Sequence, residues 1–265
     1  MKVVFLGASS YGMKCLRAIL KVKGVDVVGV MTTPKEFTLT YNEGRDSKIM
    51  KNNVYYEISQ LCKHEKIELY TIGKMNEEAT IDKCKQWEPE LIVVSGWYHI
   101  IGKAIRNIPL YGVVGLHPSS LPKYRGGAPL VWQMINGEDK AGITLFYMDE
   151  GIDSGDIIAQ AEEVIEETDT IATLYEKIGN RGIELLEKYL PLIALGKAPR
   201  IKQENLQDSD IYPQRKPEDG MIDWKKSPKE IQNFVRAQTK PYPGAYTIID
   251  GKKITIWDCT VREIE

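Results

Sequence analysis

The sequence predicts an α/β fold with a mostly parallel sheet, followed by a small C-terminal appendage that contains a helix and a β-hairpin. Three observations predict it. Short apolar runs alternate with helical stretches along most of the chain, as parallel βαβ units require. The first apolar run passes through a glycine-containing loop directly into a helix. Beyond residue 205 the composition becomes polar, and the chain then ends in two apolar runs that flank Asp250-Gly251.

The first part of the chain alternates strands and helices. Residues 2–7 (KVVFLG) are predicted to form the first strand, since their apolar run is short and ends in a glycine loop. Pro34 ends the second strand, and the polar residues 35–53 are expected to form an exposed loop. The other elements predicted up to residue 97 are helices over 12–20, 54–64 and 76–86 and strands over 25–33, 67–71 and 91–97.

The second part continues this pattern and then changes character. A long amphipathic helix is predicted over 170–195, with Thr168 and Asp169 as capping candidates. The other predicted elements are strands over 111–117, 142–148 and 157–165, helices over 130–137 and 227–238, and a hairpin over 245–257. We place a domain boundary near residue 205, which gives a main domain at 1–205 and a small C-terminal subdomain at 206–265.

Composition and charge argue against several classes of protein. The 265 residues are 43% hydrophobic and 27% charged, which is ordinary globular composition and argues against disorder. The formal net charge of −2 argues against a nucleic-acid binder. No apolar run approaches the length of a membrane-spanning helix, so we expect a cytoplasmic protein without a membrane partner. The four cysteines lack metal-ligand spacing, which predicts reduced thiols and no metal site.

The first glycine loop, Gly7 to Gly12, lies where a phosphate-binding loop would follow a strand. It lacks the middle glycine of the dinucleotide-binding fingerprint and the Lys-Ser/Thr pair of a P-loop, so it is neither. Two interpretations follow: a tight strand-to-helix turn, or a helix start whose N–H groups meet an anionic part of a substrate. Under the second interpretation, Ser9 and Tyr11 are candidate substrate-binding residues.

Two segments in the middle of the chain carry the strongest chemical signal. HPSSLPKYRGGAPL (117–130) and MDEGIDSGDI (148–157) each meet the end of a predicted strand. Ligands of open α/β sheets bind outside the carboxyl ends of strands, so His117 and Asp153 are expected to meet there. A His–Asp pair is a common way to tune a base near neutral pH, whereas a lone histidine is more often structural. The residues alone allow either interpretation.

These two segments resemble the signature of the folate-dependent formyltransferases, whose pattern is Asn-x-His-x-Ser-x-Leu-Pro-x-x-Arg-Gly followed by an Asp in a Gly-x-Asp-x-Gly loop. Further matches are Thr-Thr-Pro at 32–34, DGMIDW at 219–224 and VRAQTKPYPGAY at 235–246, so the resemblance covers nearly the whole chain. The last two segments are similar to those of formyltransferases that act on nucleotide-linked amino sugars. The resemblance implies a Rossmann-like formyltransferase domain.

The resemblance also implies N10-formyltetrahydrofolate as the formyl donor and a primary amine as the acceptor. His117 and Asp153 match the family's catalytic residues: His117 would stabilise the oxyanion, and Asp153 would hold the imidazole and help move a proton. The family binds the pterin between two loops, whose positions here are Trp97, Tyr98, His99, Ile100, Asp149 and Gly151. Trp97 and Ile100 fit a place in the hydrophobic core equally well.

The loop after His117 supplies further candidates. Its predicted substrate-binding residues are Ser119, Ser120, Arg125 and Gly126. Arg125 could instead pair with a structural carboxylate. No Gly-x-Ser-x-Gly elbow surrounds the serines, which argues against a serine hydrolase.

The sequence departs from the family pattern at one position. The family's catalytic Asn stands two residues before the histidine, where this chain has Gly115. Loss of an oxyanion-hole donor costs on the order of 10²–10³ in rate. Three explanations follow. Another donor, such as a backbone N–H, Ser120 or a water, replaces the amide; or the chain catalyses an altered transfer in the room that Gly115 leaves; or it is a weak or inactive relative that binds folate or nucleotide.

For the acceptor, the sequence favours a nucleotide-linked amino sugar. Only about sixty residues follow the boundary, too few for the β-barrel of a methionyl-tRNA formyltransferase. The charge balance is also acidic, whereas tRNA binding relies on Lys and Arg. Methionyl-tRNA is the alternative acceptor, and a binding protein without catalysis is a second alternative. The hairpin at 245–257 could add strands to a partner subunit, as in a homodimer.

Overall fold

The computed structural model describes residues 1–41, 46–204, 206 and 211–263. Its strands are β1 (Lys2–Leu6), β2 (Asp26–Thr32), β3 (Glu36–Tyr41), β4 (Asp46–Lys51), β5 (Glu68–Thr71), β6 (Leu91–Val94), β7 (Val113–His117), β8 (Arg125–Gly126), β9 (Lys140–Tyr147), β10 (Ile157–Val164), β11 (Ile211–Tyr212), β12 (Ala245–Ile249) and β13 (Lys252–Ile256). Its α-helices are α1 (Ser10–Ile19), α2 (Tyr55–Glu65), α3 (Glu78–Gln86), α4 (Lys103–Arg106), α5 (Pro129–Ile135), α6 (Ile171–Ala194) and α7 (Pro228–Gln238).

A seven-stranded sheet forms the centre of the molecule, with the strand order β10-β9-β7-β6-β1-β2-β5. The strands from β7 to β5 in that order run parallel, while β9 is antiparallel to both of its neighbours. The prediction of an α/β fold with a mostly parallel sheet is therefore confirmed. Because β9 reverses direction, its end lies beside the beginning of β7, with Tyr147 opposite Val114.

Strand β1 lies in the middle of the sheet, and its side chains enter two separate cores. Val3 and Phe5 are fully buried in a core that includes residues of α1, α2, α5 and α6. Val4 and Leu6 are fully buried in a second core that includes residues of α3 and α4. Helices therefore cover both faces, which explains why β1 is apolar at successive positions rather than alternating. Each fully buried Leu or Phe stabilises the fold by roughly 1.5–3 kcal/mol.

The region predicted as an exposed loop, residues 35–53, instead contains the antiparallel pair β3 and β4. The alternation of Phe37, Leu39 and Tyr41 with polar residues is the strand signal that the prediction missed. Phe37 is only 9% exposed, so this hairpin is anchored to the body of the protein. Of the turn between the strands, residues 42–45 lie outside the described residues.

The C-terminal part has the predicted helix and hairpin. Helix α7 packs against α5 and β12, and Ile222, Val235 and Ala245 form a small core there. Strands β12 and β13 pair around Asp250 and Gly251, whose φ angles are 48° and 73°. Two successive positive φ angles are what a tight I′ hairpin turn requires. The predicted boundary at residue 205 lies outside the described residues.

Membrane-spanning helices and metal-binding clusters are both absent from the described ranges. These ranges contain no helix that is long and apolar enough to cross a membrane, and no group of His, Cys, Asp and Glu side chains that could hold a metal ion. The cysteines are free thiols. Burial raises the pKa of the Cys62 thiol to about 11 and that of Cys84 to about 12, so both stay protonated at neutral pH and are poor nucleophiles.

Helix α6 begins at a capping box formed by Thr170 and Thr173, not at the predicted Thr168-Asp169. Asp169 instead stabilises the start of the helix through the hydrogen bonds that its side chain accepts. Its carboxylate accepts hydrogen bonds from the Glu166 N–H (2.8 Å), the Thr173 hydroxyl (2.8 Å) and Lys177 Nζ (2.7 Å). Burial alone would raise the pKa of Asp169, but these hydrogen bonds outweigh it and hold the pKa below its ordinary value.

We expect Asp169→Asn to lower the free energy of unfolding by about 1.5–3 kcal/mol at pH 7, because hydrogen bonds to a buried charge are lost. A depressed folded-state pKa stabilises the fold above the unfolded pKa, and this contribution is lost as the pH falls through the folded value. Urea denaturation at neutral and acidic pH should therefore show the penalty shrinking on acidification. Asp82→Asn, at an exposed ion pair with Lys85, is the control. An equal penalty at both pH values would contradict this account.

Candidate active site

His117 is the last residue of β7 and is only 6% exposed. The loop that follows turns back and brings the Tyr124 carbonyl oxygen 2.8 Å from His117 Nε2. A carbonyl oxygen can only accept a hydrogen bond, so Nε2 is the protonated ring nitrogen. This bond fixes the ring orientation and leaves Nδ1 as the nitrogen that faces the other polar partner.

That partner is Asp153, whose Oδ2 lies 3.3 Å from His117 Nδ1. The same oxygen accepts a hydrogen bond from the Gly126 N–H at 2.9 Å. The structure therefore brings the predicted pair together, but not for the predicted reason. Strand β9 is antiparallel to β7, so the loop after β9 does not start at the carboxyl end of β7. It is the short strand β8 that holds this loop against the histidine.

Strand β8 holds the Asp153 loop through both of its residues. Gly126 donates to the Asp153 carboxylate, and Arg125, only 4% exposed, donates from Nη1 to the Ile152 carbonyl at 3.4 Å. On its other side β8 pairs with β11. Gly126 has a φ of 91°, and a Cβ there would lie 2.5 Å from the Tyr212 carbonyl oxygen, so this contact requires glycine. Arg125 and Gly126 thus hold the Asp153 loop in position beside His117.

Gly115 is buried two residues before His117, and the space beside it is filled. A Cβ at Gly115 would lie 2.4 Å from the terminal methyl Cε of Met148. The room expected for a larger acyl group is therefore taken by a flexible thioether. A thioether is an apolar group with at most weak acceptor character, so Met148 cannot replace the donor that an amide would supply.

The loop after β6 carries an aromatic group made of Trp97, Tyr98 and His99, joined by Phe37 from β3. The ring of Phe37 lies 5.4 Å from that of Tyr98 and 5.7 Å from that of His99, and Trp97 lies 5.6 Å from His99. Burial lowers the pKa of His99, which favours its neutral form. Trp97 Nε1 is buried and finds no hydrogen-bond partner among the residues described. Ile100 is 85% exposed, which is not a core position.

A cavity of about 370 Å³ opens at the start of β7, where its walls include Val113, Tyr147, Met148, Asp149 and Arg200. Of the residues predicted for the pterin pocket, Asp149 lines this cavity and the 97–100 loop does not. Asp149 Oδ1 also accepts from the Gly151 N–H at 3.0 Å and from the Ser154 hydroxyl at 2.9 Å. These bonds shape the loop that leads to Asp153.

The two candidates in the first glycine loop have structural contacts. Ser9 is the N-cap of α1 and accepts a hydrogen bond from the Gly12 N–H at 3.1 Å. The Tyr11 hydroxyl donates to the Gly179 carbonyl of α6 at 3.4 Å, so its ring packs on that helix. Both contacts fit the tight-turn interpretation of this loop.

The two serines after His117 also make structural contacts. The Ser119 hydroxyl is buried and donates to the Lys123 carbonyl at 2.6 Å, which closes the turn. The Ser120 hydroxyl donates to Glu162 Oε1 of β10 at 3.1 Å. Ser120 is thereby engaged away from Gly115, which argues against the hypothesis that it replaces the missing amide.

Sequence reasoning missed two residues that contact the pair. The Tyr124 carbonyl orients His117, and Gln203 Nε2 donates to the carbonyls of Asp153 and Gly155. A backbone acceptor leaves no signal in the residue type. Gln203 lies fifty residues from its partner, and nothing in its local sequence points to it.

Comparison with known proteins identifies the family of this arrangement. The family described as Formyl transferase matches residues 1–190, and the Formyl transferase C-terminal domain matches residues 215–265. The methionyl-tRNA formyltransferase of Clostridioides difficile (strain 630) is 37% identical over 263 residues, which cover 99% of this chain and 81% of that protein.

Solved structures have the same fold. A sugar N-formyltransferase from Shewanella sp FDAARGOS_354 superposes with a TM-score of 0.74 at 18% identity, covering 100% of this chain and 99% of the other. An N-formyltransferase from Helicobacter canadensis, in complex with folinic acid and dTDP-3-aminofucose, gives a TM-score of 0.66 at 23% identity, covering 96% and 86%.

We expect Gly115→Asn to destabilise the protein by about 1 kcal/mol or less, because the new side chain displaces the Met148 methyl, which ends a flexible side chain. Met148→Ala removes this methyl, so the double variant should be more stable than the sum of the single changes predicts. Urea denaturation of the two single variants and the double variant measures the coupling free energy, expected at about 0.5 kcal/mol. Additive effects would show that Met148 moves aside without cost.

Proposed function

The chain belongs to the formyl transferase family, and on that premise we propose that it transfers a formyl group from N10-formyltetrahydrofolate to the amine of methionyl-tRNA. The observation that carries the proposal is the pair of buried His117 and half-buried Asp153, held at 3.3 Å by β8 and by the Tyr124 carbonyl. Proton transfer during acyl transfer to an amine is the task that such a pair can perform.

The roles of the two residues follow from their hydrogen bonds. Transfer joins the amine nitrogen to the formyl carbon and releases the donor nitrogen, so one proton must move from the first nitrogen to the second. Because His117 Nε2 is engaged with Tyr124, Nδ1 and Asp153 Oδ2 remain to accept the proton from the amine nitrogen and to return it to the donor nitrogen. A protonated His117 also places a positive charge near the formyl oxygen, where negative charge develops.

The loop at 97–100 fits a flat heterocyclic donor. Trp97 offers a buried N–H without an acceptor in the described part of the chain, beside the rings of Tyr98 and His99. A bound heterocycle would supply the missing acceptor and stack on these rings. Ile100, Asp149 and Gly151 are the remaining proposed pocket residues. When bound, formyltetrahydrofolate supplies a formyl group activated on nitrogen.

Two acceptors are in question, and different observations favour them. Methionyl-tRNA is supported by the curated relative at 37% identity over 99% of this chain. A nucleotide-linked amino sugar is the second candidate, because the formal net charge of −2 is unusual for a protein that grips a polyanion. Likeness of fold to the sugar enzymes does not separate the two.

The deciding experiment incubates the protein and N10-formyltetrahydrofolate with methionyl-tRNA in one reaction and with dTDP-linked amino sugars in others. Formation of formylmethionyl-tRNA, seen as a change in the mobility of the charged tRNA on acid gels, supports the first acceptor. Formylated sugar, seen as a mass increase of one formyl group, supports the second. If tetrahydrofolate is released with none of these amines, the proposal of formyl transfer itself is overturned.

We expect His117→Asn to slow formyl transfer on the order of 10²–10⁴-fold, because the proton-transfer partner is lost. The assay is the initial rate of tetrahydrofolate release with the acceptor that the first experiment identifies. His64→Asn is the matched control, since His64 lies on the surface and its only ion pair or hydrogen bond among the residues described is with the neighbouring Glu65. A rate within a few-fold of the wild-type rate would exclude His117 from the chemistry.

A further inference from the structure

Asp153 is held in a conformation that most residues avoid. Its φ is 49°, in the left-handed region, where a non-glycine residue costs roughly 1–2 kcal/mol. This backbone angle decides where the carboxylate points, and thereby its contacts with His117 and with the Gly126 N–H. Because a strained residue relaxes when its supports are removed, the groups that hold the Asp153 backbone matter for the pair.

Gln203 provides such a support. Its side-chain Nε2 donates to the Asp153 carbonyl at 2.9 Å and to the Gly155 carbonyl at 2.7 Å. One amide group therefore fixes the backbone on both sides of Ser154. The two hydrogen bonds need both protons of the –NH2 group, so neither a carboxylate nor an apolar side chain of the same length can make them.

The backbone that carries Gln203 is itself fixed. Ile201 exchanges two hydrogen bonds with Ile157 at the start of β10, at 2.7 and 2.9 Å. The guanidinium of Arg200 lies 3.6 Å from the centre of the Tyr147 ring, at the end of β9. The Asp153 loop runs between these same two strands. Gln203 thus reaches the loop from a segment that is anchored to both of its ends.

The oxygen of the Gln203 amide shows that this arrangement has an energetic cost. Oε1 is buried and has no hydrogen-bond partner within the described ranges. If the amide were rotated, Oε1 would face the carbonyl oxygens of Asp153 and Gly155, and these oxygens would repel it. The orientation of the amide is therefore determined. An unpaired buried acceptor costs free energy, which argues that these two bonds to the loop are what the side chain is placed to make.

We propose that Gln203 is a positioning residue for the His117–Asp153 pair. The inference rests on the proposed formyl transfer, and it assigns to the segment that follows α6 a part in the reaction. The Gln203 amide donates to backbone carbonyls of the Asp153 loop. It acts by holding the Asp153 backbone, and so the carboxylate, where His117 Nδ1 meets it.

The test compares wild-type protein with Gln203→Met, which keeps the length of the side chain and removes both hydrogen bonds. Gln238→Met is the matched control, because Gln238 is 5% exposed and binds Arg215 in the C-terminal part. The first measurement is NMR of the imidazole signals over pH, which is simple because the chain has three histidines. The second is kcat and KM with the acceptor that the wild-type protein uses.

We expect Gln203→Met to shift the His117 signals and their pH dependence and to lower kcat by about tenfold or more, with KM nearly unchanged. Gln238→Met should lower the melting temperature and leave both readouts alone. If Gln203→Met only lowers the melting temperature, Gln203 is structural and the inference is overturned. If Gln203→Met does not fold, Gln203→Asn, which withdraws the amide by one methylene, is measured instead against the same two outcomes.

The two proposals fail in different ways. A wild-type protein that formylates no amine would overturn the proposed function, and the NMR comparison would still show whether Gln203 sets the His117 environment. Active wild-type protein with unchanged His117 signals and unchanged kcat in Gln203→Met would overturn the inference alone.

Discussion

The hydrogen bond from His117 Nε2 to the Tyr124 carbonyl is the contact on which the site depends. It requires a proton on Nε2, and it turns Nδ1 towards Asp153. Tyr124 can offer its carbonyl because the loop after β7 folds back, with φ of 57° at Tyr124 and of 91° at Gly126. The chemistry of the histidine thus begins with a backbone conformation rather than with another side chain.

That conformation is costly, and the surrounding structure offsets the cost. Tyr124 and Asp153, which both contact His117, are non-glycine residues with positive φ. Strand β11 braces the loop by pairing with β8, and the Tyr212 ring stacks on that of Tyr124 at 4.8 Å. The residues that follow α6 therefore act on both halves of the pair: Tyr212 packs on Tyr124, which orients His117, and Gln203 binds the Asp153 backbone.

Local patterns in the sequence predicted most elements of the sheet and its helices. The apolar strands and the Asp250-Gly251 turn follow from rules that act over a few residues. The hairpin of β3 and β4 carried such a signal in Phe37, but the polar composition around it hid the alternation. The meeting of His117 with Asp153 was predicted from strand ends, although the antiparallel direction of β9 makes β8 the real cause.

Contacts of high sequence separation could not be predicted in this way, and Gly115 with Met148 is the instructive case. The sequence has Gly115 where the family has an amide side chain, and this predicts empty space beside the glycine. The structure shows that the side chain beginning the Asp153 loop has filled it. The Met148 methyl in this space maintains the packing but supplies no hydrogen-bond donor. Under the proposed formyl transfer, stabilisation of the charge on the formyl oxygen would then fall to His117, and the backbone that holds this ring would carry more of the catalytic task.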